Sequence, residues 1–260
     1  MKSFIKQVSM GNRMNKKMVW SIGLILTTGL LHQTAWAVFE VSRLTLGRTT
    51  NPEKSLVIET DTTYAATNWA DPSQDTLQGT YSVAYGVTDR LTAESELATQ
   101  ESQRNRLRAD RLAMEAIYRI LDNPFQWAPL LELRPSLQGE SFESVYGFRA
   151  IKNIRQFSLI LNYEGTLGKE SEDSVYKLKD HEVEPGILYR FGLHGLLGLD
   201  YDYHKTGSQA IDVSLGGSVS RNVFLGVEQS FGLTQAAPDY QFGLHVDFYF
   251  GPYALGGWGL

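Results

Sequence analysis

The sequence predicts an all-β chain, an antiparallel transmembrane β-barrel of about 12 strands preceded by a signal peptide. Three observations carry that expectation. Apolar and polar residues alternate with a period of two over much of the 260-residue chain. Tight turns and longer polar connections alternate between those segments. The N-terminus has the layout of an export leader.

The leader comes first. Lys2, Lys6, Arg13, Lys16 and Lys17 precede an apolar run from Met18 to Leu31, with no Asp or Glu before residue 38. The run is about 14 residues, against the ~20 that a spanning helix needs. Ala35-Trp36-Ala37 supplies a small-x-small cleavage pattern. A cleavable peptide over 1–37 fits these flanks better than an uncleaved anchor. Met14-Asn15-Lys16-Lys17 makes a compact alternative start to Met1. The barrel is then expected over 38–250, with a tail at 251–260.

Charge narrows the partners. The chain has 24 basic and 29 acidic residues; without the five leader bases, 19 face 29, a net charge of −10. So acidic a chain does not suit nucleic acid, whose phosphates need Lys and Arg. No later stretch of 18 residues is apolar enough for a membrane helix, and there is no cysteine. An exported chain without disulfides must be held by packing or by a closed backbone hydrogen-bond network.

The strands follow in order. The expected segments are Leu56–Ala66, Leu77–Val87, Leu91–Thr99, Leu107–Leu121, Leu130–Gln138, Ser144–Lys152, Phe157–Glu164, Lys179–Phe191, Leu193–His204, Ile211–Val219, Val223–Phe231 and Tyr240–Phe250. The last is the clearest. Tyr240, Phe242, Leu244, Val246, Phe248 and Phe250 share one face, and Gln241, Gly243, His245, Asp247 and Tyr249 share the other. Residues 107–121 have a helical composition. Even so, Leu112, Met114, Ala116, Tyr118 and Ile120 alternate with Arg111, Glu115 and Arg119, which favours a strand.

Between the strands, tight turns are expected at Thr88–Arg90, Lys152–Ile154, Arg190–Leu193 and Arg221–Asn222, and a slightly longer one at Asp122–Pro124. Longer connections are expected at Asn68–Asp75, Gln100–Arg106, Gly139–Glu143, Thr166–Tyr176, Lys205–Ser208 and Thr234–Asp239. Short periplasmic turns alternating with longer outer loops characterise outer-membrane barrels, and so does an even strand count. Aromatics near strand ends, such as Tyr85, Tyr163, Phe231 and Phe250, suit interfacial girdles. A soluble sandwich also has one apolar face, but segments of about 10–12 residues are long for it.

The last strand resembles the C-terminal signal read by the outer-membrane insertion machinery, with Gln241, Gly243, Val246 and Phe248 at the polar, glycine, apolar and aromatic positions. Pro238-Asp239-Tyr240-Gln241-Phe242-Gly243 resembles the last hairpin of the transporter family associated with phenol-degradation operons, of the MetA-pathway type. Arg48–Thr63, with Pro52 and then Ser55–Glu59, is similar to that family's first strand. The resemblance implies a 12-stranded outer-membrane barrel that passes small, often hydrophobic, molecules.

The face opposite the apolar one is charged. Lumen-lining candidates are Arg111, Glu115, Arg119, Glu132, Arg134, Glu164, Glu184, Arg190, Asp200, Asp202, His204, Glu228, His245 and Asp247. Such a lining can hold water and select ions by sign, or pair across a narrow interior and plug it. Both arrangements fit the sequence. Asp200, Asp202 and His204 climb one strand face toward an outer loop. As a site they could ligate a metal or activate water, but their spacing fits a hydrogen-bonded lining better. Ser208 near His204 is the one local candidate for a Ser–His pair. The expectation is therefore a non-enzymatic outer-membrane channel for small solutes, with no catalytic residues, no metal and no cofactor. Its other partners are the lipid bilayer and the insertion machinery. The alternatives are an outer-membrane hydrolase at the barrel mouth or a structural barrel with a filled interior.

Overall fold

The computed structural model describes residues 48–66, 75–102, 106–137, 141–170, 176–191 and 195–251. The expected leader and the tail beyond Gly251 lie outside the described residues. The chain forms β1 (Leu56–Ala66), β2 (Thr76–Thr88), β3 (Leu91–Ser102), β4 (Arg106–Tyr118), β5 (Gln126–Pro135), β6 (Ser141–Ile154), β7 (Phe157–Glu170), β8 (Lys177–Phe191), β9 (Gly195–His204), β10 (Gln209–Ser220), β11 (Val223–Gly232) and β12 (Tyr240–Phe250). They make one 12-stranded antiparallel sheet. β1 pairs with β12 from Leu56 opposite Phe250 to Ala66 opposite Tyr240. β1 also lies against β2, which closes the barrel. Closure leaves no sheet edge, the requirement for backbone in lipid.

The alternation decides which side faces out. Leu131 is 55% exposed, Leu199 51% and Met114 49%, while Glu132, Asp200 and Ala113 beside them are buried. Such an exterior would be an anomaly in water and is the natural one for a barrel in hydrocarbon. In β4 the alternation overrides helix-forming composition, with Ala113 and Ile117 inside and Met114 and Tyr118 outside.

Several boundaries differ from expectation. β5 begins at Gln126 rather than Leu130. Its ladder with β4 spans only Leu130–Leu133 and stops at Pro129, which has no N–H to donate. β6 runs on to Ile154, whose outward side chain continues the alternation, so the turn is Arg155-Gln156 rather than Lys152–Ile154. β7 extends to Glu170, well into the expected 166–176 loop. Gly165 and Gly168 carry no side chain to mark a face, yet they pair with Tyr146 and Glu143 of β6.

The interior is graded along the axis. At the end with the short turns, inward positions are apolar. Val57, Ala84, Ile151, Ile160, Leu188, Leu196, Phe224 and Tyr249 form one buried cluster, and Ile117, Ala128, Leu130 and Val145 form another. Residues 49–52 lie against this floor, buried, and run across the inner wall from β1 toward β5. Asn51 N donates to Thr92 Oγ1 (2.7 Å) and Thr49 N donates to Gln126 Oε1 (3.0 Å). Gly86 of β2 makes room for them, since a Cβ there would lie 1.8 Å from the Pro52 carbonyl oxygen.

Candidate functional site

Above the floor the lumen is polar. Period-two alternation places Arg111 and Glu115 (β4), Glu132 and Arg134 (β5), Glu164 (β7), Glu184 (β8), Asp200, Asp202 and His204 (β9), Glu228 (β11), and His245 and Asp247 (β12) on the inward face. Arg190 is inward at the turn end of β8. Arg119 follows β4 and binds Asp122 at 2.7 Å, so it clamps the β4–β5 turn rather than lining the middle of the lumen. In β12, Gln241 and Gly243 face inward and Val246 and Phe248 face outward.

Two walls differ in character. On β3–β7 the charges are paired. Arg111 Nη2 donates to Glu96 Oε1 (3.1 Å), Arg149 Nη2 donates to Glu115 Oε2 (3.1 Å), and Arg134 Nη2 donates to Glu132 Oε2 (2.6 Å). Arg134 also faces Glu164 at 3.6 Å. Arg149 was not among the expected lining residues. Its signal was its parity, between outward Phe148 and Ala150 on β6. Most of these groups, together with Glu59, Asp61, Glu182 and Glu184 from the other wall, line a mid-lumen cavity of about 110 Å³.

The opposite wall is acidic. Asp200 and Asp212 are direct cross-strand partners on β9 and β10, and both are buried. Neither they nor Glu184 or Glu228 forms an ion pair with a Lys or Arg among the described residues; Glu184 accepts a hydrogen bond from Asn162 Nδ2 (2.9 Å). His245 sits between Asp61 and Asp247, and Asp247 also accepts from the Tyr249 hydroxyl (3.0 Å). Carboxylates grouped in this way would, to the extent that they are ionised, raise the local cation concentration and repel anions.

At the loop end the lumen widens into a vestibule of about 500 Å³, lined by Glu143, Lys179, Asp180, Glu182, Asp202 and His204 among others. His204 Nδ1 lies 2.9 Å from Asp180 Oδ2, and its Nε2 lies 3.1 Å from Asp202 Oδ2. Both ring nitrogens therefore face carboxylates, and neither is left for the Ser208 hydroxyl. Glu182, Asp202 and His204 each offer a donor atom within 4.8 Å of the others, the one such group among the described residues.

No family model matches the chain, and no curated protein matches it in sequence. Solved structures do match. An outer membrane channel from Pseudomonas putida F1 is 11% identical with a TM-score of 0.62, covering 77% of this chain and 97% of that one. The KdgM porin is 14% identical with a TM-score of 0.58, covering 75% of this chain and 99% of that one. The NanC porin is 12% identical with a TM-score of 0.55, covering 74% of this chain and 98% of that one. At these identities the likeness establishes the fold: this chain has the 12-stranded barrel architecture of outer-membrane porins and channels.

Proposed function

We infer that the protein is an outer-membrane channel that passes small solutes by diffusion through a charged lumen. The observation that carries this reading is the graded interior. A wide acidic vestibule leads to a narrower polar cavity inside a barrel whose exterior is apolar. In this reading the long loops face outward, the short turns face the periplasm, residues 1–37 are removed on export, and the Gln241–Phe248 pattern guides insertion. Similarity to channels that handle small solutes supports the role. The ends of the chain keep the MetA-pathway transporter family as its proposed kinship. With both nitrogens of His204 held by carboxylates, neither is left for the Ser208 hydroxyl, which disfavours a Ser–His hydrolase; an Asp/His site that activates water stays as the alternative reading.

The acidic wall gives the channel a sign. Asp200, Asp212 and Glu228 line it without an ion pair to Lys or Arg among the described residues, so cations are expected to pass more readily than anions. Planar-bilayer recording tests both parts. The expected result is discrete conductance steps and a reversal potential in a KCl gradient that indicates cation preference. Neutralising the pair as Asp200→Asn with Asp212→Asn moves the reversal potential toward zero. Absence of conductance steps from folded, inserted barrel would overturn the channel reading.

A further inference from the structure

We propose that Glu182, Asp202 and His204 form a binding site for a divalent transition-metal ion, with zinc as its probe, at the loop-end mouth of the barrel. The site goes beyond the channel reading and does not depend on it.

The argument begins with the register. Glu182 of β8 and His204 of β9 are direct cross-strand partners, and Asp202 lies two residues back on the same inward face. The hairpin that follows holds His204 in place, with its backbone N–H donating to Ser208 O (2.9 Å) and its carbonyl accepting from Gly207 N (2.9 Å). The imidazole is oriented as well. Asp180 takes one ring nitrogen at 2.9 Å, and its other oxygen accepts from the His181 N–H at 2.8 Å. A carboxylate on one nitrogen of a histidine fixes the tautomer that presents the other nitrogen to a metal.

That other nitrogen, Nε2, is 3.1 Å from Asp202 Oδ2. Two ligands sharing a tetrahedral ion with bonds of about 2.0 Å sit roughly 3.3 Å apart. The site also has unmet demand. Glu182 is 8% exposed. Asp202 is 5% exposed, and its Oδ1 is buried without a hydrogen-bond partner. Buried carboxylates without partners are costly unless a cation joins them. Lys179, the base lining the same vestibule, is taken by Glu143 at 3.0 Å.

The donor set selects the ion. One imidazole nitrogen with two carboxylates suits zinc and its first-row neighbours better than calcium or magnesium, which prefer all-oxygen shells with more ligands. Three protein ligands leave a coordination position open toward the vestibule, so the ion would exchange and could meet a passing solute.

The test is zinc titration by calorimetry of the full exported chain, purified in detergent and stripped with a chelator. Its fold is checked by the shift in gel mobility on heating. The expected result is one zinc per barrel. His204→Ala abolishes the uptake, and Asp180→Asn, which removes only the orienting partner, weakens it by about 10–100-fold. His181→Ala leaves it unchanged, because His181 binds the Tyr163 hydroxyl on the adjoining register position and belongs to no cluster. X-ray absorption of the loaded protein is expected to show one imidazole in an otherwise oxygen shell. No uptake by folded barrel, or uptake that survives His204→Ala, overturns the proposal and leaves His204 as a hydrogen-bonded bridge between Asp180 and Asp202. Neither result touches conductance, so the channel reading stands or falls separately.

Discussion

At the scale of single residues, the lumen contains two kinds of buried charge with opposite consequences. Arg149 and Glu115 are both about one-tenth exposed and lie 3.1 Å apart. Removing one partner leaves the other charge uncompensated, which costs more than the pair is worth. Arg149→Met is therefore expected to destabilise the barrel by about 3–5 kcal/mol. Arg149→Met combined with Glu115→Gln should recover most of that loss. Urea unfolding in lipid vesicles, followed by tryptophan fluorescence, measures both. The acidic wall works the other way: Asp200 and Asp212 are buried cross-strand carboxylates, so Asp200→Asn is expected to cost the fold little while it weakens the proposed cation preference.

At the scale of elements, each strand is read by two solvents. Val213 faces out near the middle of β10, and Ser214 beside it faces in. Val213→Arg should cost about 2–4 kcal/mol, the penalty for a guanidinium at mid-bilayer. Ser214→Arg puts the same group near Asp200, Asp212 and Glu228 and should cost far less. Equal losses in the unfolding assay would contradict the assigned faces. The segment at 49–52 is the other element with a consequence. It lies on the floor where Gly86 permits it, and a methyl at that position would collide with the Pro52 carbonyl. Gly86→Ala is expected to push the segment off the inner wall and to raise single-channel conductance without loss of the folded barrel. Unchanged conductance would mean that the segment does not limit flow.

At the scale of the molecule, the segregation of charge would make the proposed selectivity a long-range property, with the acidic wall rather than the paired wall supplying most of the field. Such a field is screened by salt over about 10 Å at 0.1 M and about 3 Å at 1 M. Cation preference measured from reversal potentials should therefore shrink as KCl is raised from 0.1 M to 1 M. A preference independent of salt would point instead to local binding at one narrow place.

Period two by itself determined the fold class, because a barrel in lipid sorts every strand into an apolar and a polar face and writes that sorting into the chain. Tyr240–Phe250 shows it outright, and even β4 shows it against a helical composition. The alternation of short turns with long loops determined the strand number and order. Tertiary structure decided what parity cannot express. The apolar floor was legible only in part: parity alone places Tyr249 inward, but Phe224 is an apolar residue at an inward position between apolar residues at outward ones, so no polar contrast marks it. Arg149 gained its role only from a partner on a strand that is not its neighbour. The extent of the β4–β5 ladder depended on Pro129 lacking a donor, and the end of β7 on glycines that mark no face. The approach of Asp180 and Glu182 to Asp202 and His204 depended on the register between β8 and β9. Composition and spacing set which side of a strand faces water, but only the closed sheet sets which side chains meet across it.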